Sequence, residues 1–80
     1  MKLITQDGRV FFGTAAQILV QMRDISFSAA DLTLGQYVDW VIENTRRYEG
    51  VELVVEGDTD EARAKALVEE LVHKGLAQRG

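Results

Sequence analysis

The chain has 80 residues, of which 28% are charged and 46% are hydrophobic, and its formal net charge is −4. This length and composition are typical of one soluble globular domain, residues 1–80. The absence of cysteine excludes disulfides and thiolate metal sites and fits a cytoplasmic protein. The negative charge argues against extensive nonspecific binding of nucleic acid, because such binding depends on neutralising phosphates. The apolar runs are short, so we expect neither a membrane span nor a secretory signal.

A β-hairpin over residues 2–13 is the first predicted element. Asp7-Gly8 lies between two β-prone runs and is typical of a two-residue type I′ turn. Such a turn would place Leu3 opposite Phe12 and Ile4 opposite Phe11. Because side chains alternate along a strand, Leu3, Val10 and Phe12 would then share one face of the hairpin. Ile4 and Phe11 would lie on the other face.

Three helices are predicted from capping boxes, in which a Thr or Asp and a Gln or Glu three residues later satisfy free backbone amides. The boxes are Thr14 with Gln17, Thr33 with Gln36, and Asp58 with Glu61. They predict a helix over about 15–25, a second from Thr33 to a stop at Gly50, and a third from Asp58 to a stop at Gly75.

A third strand is predicted at VELVVEG, residues 51–57, where apolar and acidic residues alternate. Val51, Leu53 and Val55 would face the core, and Val54 would face away from it. The predicted fold class is therefore α+β. It has a small three-stranded sheet, made of the N-terminal β-hairpin plus one later strand, with three helices on one face, in the order ββααβα.

Four residues are candidates for a protein interface: Ile4, Phe11, Val54 and Trp40. The first three are predicted to share the sheet face that the helices leave uncovered. Trp40 is predicted to lie to one side of the buried stripe of the second helix, either partly exposed or covered by the loop that contains Phe27. A second copy of the chain is the simplest cover for the sheet face, so we expect a micromolar homodimer. On this prediction, Phe11→Glu gives a folded monomer.

No catalytic, metal-binding or cofactor-binding motif is recognisable in the sequence. The single histidine, His73, is expected on the surface of the third helix, and EGDTDE lacks the ligand spacing of a calcium loop. We therefore expect no catalytic centre, metal or cofactor. The predicted function is a small non-catalytic protein-interaction module that self-associates as a dimer or binds another protein.

Two alternatives remain open. The stretch LVEELVHKGLAQRG, residues 67–80, resembles the recognition helix of winged-helix regulators, and a nucleic-acid-binding regulator would use Arg46, Arg47, Lys74 and Arg79. However, the five residues after Gly75 are too few for a two-stranded wing, and the acidic third helix would repel phosphate. The other alternative is a small enzyme or ligand carrier with a pocket between the second and third helices.

Overall fold

A computed structural model describes all 80 residues of the chain. The elements are β1 (Lys2–Thr5), β2 (Val10–Phe12), α1 (Ala15–Asp24), α2 (Leu34–Glu49), α3 (Asp60–His73) and β3 (Ala77–Arg79). The strands form one antiparallel sheet in the order β2-β1-β3, and the helices cover one of its faces. The predicted α+β class, with an N-terminal hairpin, one later strand and three helices on one face, is confirmed.

The third strand lies at a different place in the chain from the one that the alternation of residues 51–57 predicts. It is β3, after α3, so the elements follow the order ββαααβ instead of ββααβα. Residues 51–57 form no strand, although their burial alternates as expected: Leu53 is buried and Val54 is exposed. Because β1 pairs with β2 on one edge and β3 on the other, it has no free edge for residues 51–57.

A reversal of the chain after α3 brings β3 to the sheet. Gly75 has a φ of 76°, and its amide donates to the carbonyl of Val72. The amide of Leu76 donates to the carbonyl of Leu71 at 2.8 Å. These two bonds form a Schellman motif, which ends a helix and turns the chain back along it. Leu76 therefore leads directly into β3.

The hairpin has a three-residue loop, so the predicted type I′ turn and its register are wrong. Thr5 donates its amide to the carbonyl of Arg9 at 2.9 Å, which leaves Gln6, Asp7 and Gly8 in the loop. Gly8 has a φ of 85°, but no other loop residue has a positive φ. This geometry matches a type I turn followed by a glycine bulge. The register shifts by one residue, so Leu3 pairs with Phe11 instead of Phe12.

The predicted caps of the first two helices are confirmed, and the third is wrong. Thr14 and Thr33 form complete capping boxes with Gln17 and Gln36. The N-cap of α3 is Thr59 instead of Asp58, because the Thr59 hydroxyl accepts the amide of Ala62 at 3.1 Å. The predicted stops at Gly50 and Gly75 agree with the structure, where both glycines have positive φ.

Removal of a cap hydroxyl should destabilise the protein, because a helix amide then loses its acceptor. We expect Thr14→Ala, Thr33→Ala and Thr59→Ala each to lower the free energy of unfolding by about 1 kcal/mol. Asp58→Ala is the control, since Asp58 caps no helix, and should cost less than about 0.5 kcal/mol. Urea denaturation measures both effects. A loss at Asp58 equal to that at Thr59 would contradict the observed start of α3.

The core is a single cluster of 15 buried residues, all of them hydrophobic. Its largest fully buried side chains come from β1 and all three helices: Leu3, Ile18, Leu19, Val38, Leu67 and Val68. The segment 51–57 contributes Leu53, and Ala77 of β3 closes the core near the sheet edge. None of the helices combines the length and apolar character needed to cross a membrane.

Candidate functional site

The sheet face that the helices leave uncovered is called the outer face here, and it consists of Lys2, Ile4, Val10, Phe12 and Gln78. Ile4 lies between Val10 on β2 and Gln78 on β3, and Lys2 lies opposite Phe12. Directly opposed residues in an antiparallel sheet point to the same face. The register therefore places the apolar side chains of Ile4, Val10 and Phe12 next to one another.

Two of these apolar side chains are largely exposed. Phe12 retains 63% of its accessible surface and Val10 retains 43%, whereas Ile4 is half-buried between its neighbours. The Lys2 ammonium lies 5.9 Å from the centroid of the Phe12 ring, within the range of a cation–π contact. Lys2 is the only charged side chain of the outer face. Contiguous exposed apolar groups make the outer face a candidate for association.

The structure places the predicted interface residues in different parts of the molecule. Ile4 lies on the outer face, as expected. Phe11 does not: it is only 8% exposed and belongs to the core, because the one-residue shift in register turns its side chain towards the helices. Val54 is 66% exposed but lies outside the sheet.

Trp40 is half-buried and packs against the core. Its ring stacks on that of Tyr37, with 5.6 Å between the ring centroids and 17° between the planes. Phe27 is fully exposed, so the loop that contains it does not cover Trp40 with this side chain. The contact with Tyr37 accounts for the position of Trp40 without a partner.

Residues that the sequence did not predict complete the outer face. Val10 and Phe12 were expected in the core, and the shift in register exchanges them with Phe11. Phe27 is a further exposed aromatic residue, between α1 and α2. The alternation of β2 could identify Val10 and Phe12 as one set and Phe11 as the other, but only the loop length decides which set is exposed.

The edge of the sheet at β2 is less open than its face. The backbone carbonyl of Phe12 accepts a hydrogen bond from the side-chain amide (Nε2) of Gln21 at 2.8 Å. β2 has only three residues, so a strand added there would gain few hydrogen bonds. The geometry thus favours contact through the outer face over strand addition at this edge.

The basic residues named for nucleic-acid binding lie on separate elements. Arg46 and Arg47 are in the last turn of α2 and share the Glu43 carboxylate, at 2.5 Å and 3.7 Å. The hydrogen bond from Arg46 lowers the pKa of Glu43 and raises the pKa of Arg46. Lys74 caps the end of α3, and Arg79 lies on β3. Half of the predicted basic set is therefore already paired with a carboxylate.

Two small cavities flank the tip of the hairpin. One, of about 320 Å³, lies between the hairpin and the end of α1, with Tyr37 in its wall. Burial raises the pKa of the Tyr37 hydroxyl. The other, of about 310 Å³, includes Val41 of α2 and Leu71 of α3, so it lies where a pocket between these helices was considered. Both volumes are at the lower limit for small-molecule sites.

The polar side chains at the hairpin tip bind one another. The Thr5 hydroxyl donates to the Asp7 carboxylate, and this bond lowers the pKa of Asp7. Arg9 approaches the other Asp7 oxygen at 3.1 Å. No group of three or more His, Cys, Asp or Glu residues in the structure is arranged to hold a metal ion. His73 is exposed at the end of α3, as expected.

Comparison of the chain with known protein families, with curated proteins and with solved structures gave no match.

Proposed function

We propose that the protein is a small non-catalytic interaction module of the cytoplasm that forms a homodimer through the outer face of its sheet. The observation that supports this proposal is the adjacency of Ile4, Val10 and Phe12 on a face that no helix covers. Burying these side chains would gain roughly 25 cal/mol for each Å² of apolar surface removed from water.

A second copy of the chain is a suitable cover because the face is apolar and carries little charge. The chain as a whole has a net charge of −4, yet no acidic side chain lies on the outer face. A two-fold contact places the same patch on both sides, so an apolar patch meets an apolar patch without opposing carboxylates. Lys2 already lies near the Phe12 ring and can remain at the rim of the contact.

The size of the face limits the strength of the dimer. Strands lie about 4.8 Å apart and rise about 3.4 Å per residue, so a sheet of three short strands spans roughly 15 by 15 Å. Stable interfaces bury about 800 Å² on each partner, which is more than such a face supplies. We therefore expect a dissociation constant in the micromolar range rather than the nanomolar range.

Sedimentation equilibrium from about 1 μM to about 1 mM tests the proposed dimer, since that range spans the expected dissociation constant. The wild-type protein should pass from monomer to dimer, whereas Phe12→Glu should stay monomeric, because the glutamate would be desolvated in the contact. Phe27→Glu is the control, as it makes the same substitution at another exposed aromatic residue, which lies outside the sheet. A wild-type monomer at every concentration, or equal loss of association in both variants, would contradict the proposal.

The salt dependence of the dimer provides an independent check. An apolar contact should change less than about threefold in affinity between 50 and 500 mM salt, because it neutralises no phosphate and pairs few charges. Sedimentation at the two salt concentrations measures this change. A steep weakening with salt would indicate a contact between charged surfaces instead of the outer face.

A further inference from the structure

Asp7 and Gly8, at the tip of the hairpin, form the only Asp-Gly pair in the chain. An aspartate side chain can react with the backbone amide nitrogen of the residue that follows it. Glycine favours this reaction because it has no Cβ to hinder the approach of the carboxyl carbon. The loop is exposed to water, and the Asp7 side chain retains 62% of its accessible surface. The hairpin tip therefore contains both groups that such a reaction requires.

We propose that Asp7 is a modification site at which aspartate converts spontaneously to isoaspartate, and that Thr5 and Arg9 slow this conversion in the folded protein. In the first step the amide nitrogen of Gly8 attacks Cγ of Asp7. An N–Cγ bond forms, the bond from Cγ to the carboxyl hydroxyl breaks, and the hydroxyl leaves as water with the amide proton. In the second step a water molecule opens the resulting succinimide ring. Opening at the α carbonyl gives isoaspartate, whereas opening at Cγ restores aspartate.

The folded loop restrains the carboxyl group of Asp7. The Thr5 hydroxyl donates to one of its oxygens, and Nε of Arg9 lies 3.1 Å from the other. Thr5 and Arg9 face each other at the base of the loop, where the Thr5 amide donates to the Arg9 carbonyl at 2.9 Å. Both carboxylate oxygens are therefore bound to groups at the base of the loop. A movement of Cγ from this position to bonding distance of the Gly8 nitrogen acts against both contacts.

The same contacts favour the unreactive form of the carboxyl group. The form that the amide attacks is the neutral acid, because a carboxylate has no hydroxyl to lose as water. The hydrogen bond from Thr5 lowers the pKa of Asp7, and the charge of Arg9 acts in the same direction. At neutral pH the neutral acid is therefore less populated in the folded loop than in an unrestrained aspartate.

The attacking nitrogen is restrained as well. The Gly8 amide donates to the carbonyl of Thr5 at 3.0 Å. The nitrogen must lose this proton to bond to Cγ, and an amide proton that is hydrogen-bonded within the protein is released only when the structure opens locally. Thr5 therefore binds both reacting groups, the carboxylate through its hydroxyl and the amide through its carbonyl.

The conversion would change the loop that fixes the register of the hairpin. In isoaspartate the main chain runs through Cβ and Cγ of residue 7, so the three-residue loop between Thr5 and Arg9 becomes longer by one carbon atom. The register of β2 determines which of its side chains face the core. The contacts of Thr5 and Arg9 thus protect the loop on which the buried position of Phe11 depends.

The test compares the full chain in two states, folded in buffer and unfolded in guanidinium chloride, over several weeks at neutral pH. Trypsin cleaves after Lys2 and Arg9 and releases residues 3–9 as one peptide. Its aspartate and isoaspartate forms have the same mass, so they are separated by chromatography, with a synthetic isoaspartate peptide as the standard. Isoaspartate should form at residue 7 at least about tenfold more slowly in the folded chain, because both reacting groups are bound there.

Two substitutions of Thr5 form a matched pair. Thr5→Val removes the hydroxyl and keeps the branched shape, so it should accelerate the conversion in the folded protein at least about threefold. Thr5→Ser keeps the hydroxyl and should react at the wild-type rate. Arg9→Gln should accelerate the conversion about twofold, because an exposed ion pair contributes less. Phe12→Glu should react at the wild-type rate, so the result is independent of the proposed dimer.

Three results would overturn the proposal. The first is the absence of isoaspartate at residue 7 in the unfolded chain, which would show that Asp7 is not a reactive site. The second is an equal rate of conversion in the folded and unfolded chains. The third is an equal rate in Thr5→Val and Thr5→Ser, which would show that the hydroxyl of Thr5 gives no protection.

Discussion

Phe11→Glu should unfold or strongly destabilise the protein, whereas Phe12→Glu should leave it folded. The two residues are neighbours on β2, yet Phe11 is 8% exposed and Phe12 is 63% exposed. A glutamate at position 11 would bury an unpaired carboxylate and remove the packing of a large ring. We expect a loss of about 4 kcal/mol or more, a large share of the 5–15 kcal/mol typical of whole domains.

Urea denaturation followed by circular dichroism measures both variants. Phe12→Glu should change the free energy of unfolding by less than about 1 kcal/mol, because its side chain is mostly in water. A stable Phe11→Glu variant together with an unstable Phe12→Glu variant would contradict the observed register. It would support the two-residue turn and the face assignment predicted from the sequence. In that case Phe11, and not Phe12, would lie on the open face.

A second matched pair tests the position of the third strand. Ala77 is 7% exposed and pairs with Thr5 of β1, while the adjacent Gln78 is exposed. Ala77→Asp should lower the free energy of unfolding by about 3 kcal/mol, because it places an unpaired charge against the core. Gln78→Asp should lower it by less than about 1 kcal/mol, since it only changes an exposed residue of an edge strand.

Thermal and urea unfolding of the two variants give this comparison. If residues 76–80 were an unstructured tail, neither substitution would change stability. Equal and small effects at Ala77 and Gln78 would therefore contradict the placement of β3. A large effect at Ala77 alone would support the pairing of β3 with β1.

The helices could be predicted from the sequence because their signals are local. Thr14 and Thr33 each stand three residues before a glutamine, and both capping boxes form. The start of α3 was displaced by one residue because Asp58 and Thr59 are both good N-cap residues, and their order alone does not decide between them. Such local signals establish that a helix exists more firmly than they establish its first residue.

The hairpin register could not be predicted because Asp7-Gly8 suits two different loops. A type I′ turn needs positive φ at both residues, whereas a type I turn with a glycine bulge needs it at Gly8 alone. The structure has the second arrangement. A loop that is longer by one residue turns every side chain of β2 to the opposite face of the sheet. The sequence pattern alone therefore could not show which residues form the outer face.

The third strand was missed because alternation determines faces and not partners. The predicted inward residues of the segment 51–57 are indeed half-buried or buried, but the segment has no strand to pair with. β3 has no comparable pattern, and its only local signal is Gly75 followed by Leu76. Glycine and an apolar residue at these two positions are typical of a Schellman motif, which could have indicated that the chain turns back towards the sheet.

Intermolecular NOEs test the central claim, self-association through the outer face, most directly. A mixture of equal amounts of ¹³C,¹⁵N-labelled and unlabelled protein, at a concentration where dimers predominate, yields such NOEs in an isotope-filtered experiment. We predict contacts between the Phe12 ring of one copy and the methyl groups of Ile4 and Val10 of the other, because the outer faces meet in a two-fold contact. Intermolecular NOEs that involve Phe27, Val54 or Trp40 but none of the outer-face residues would contradict the claim.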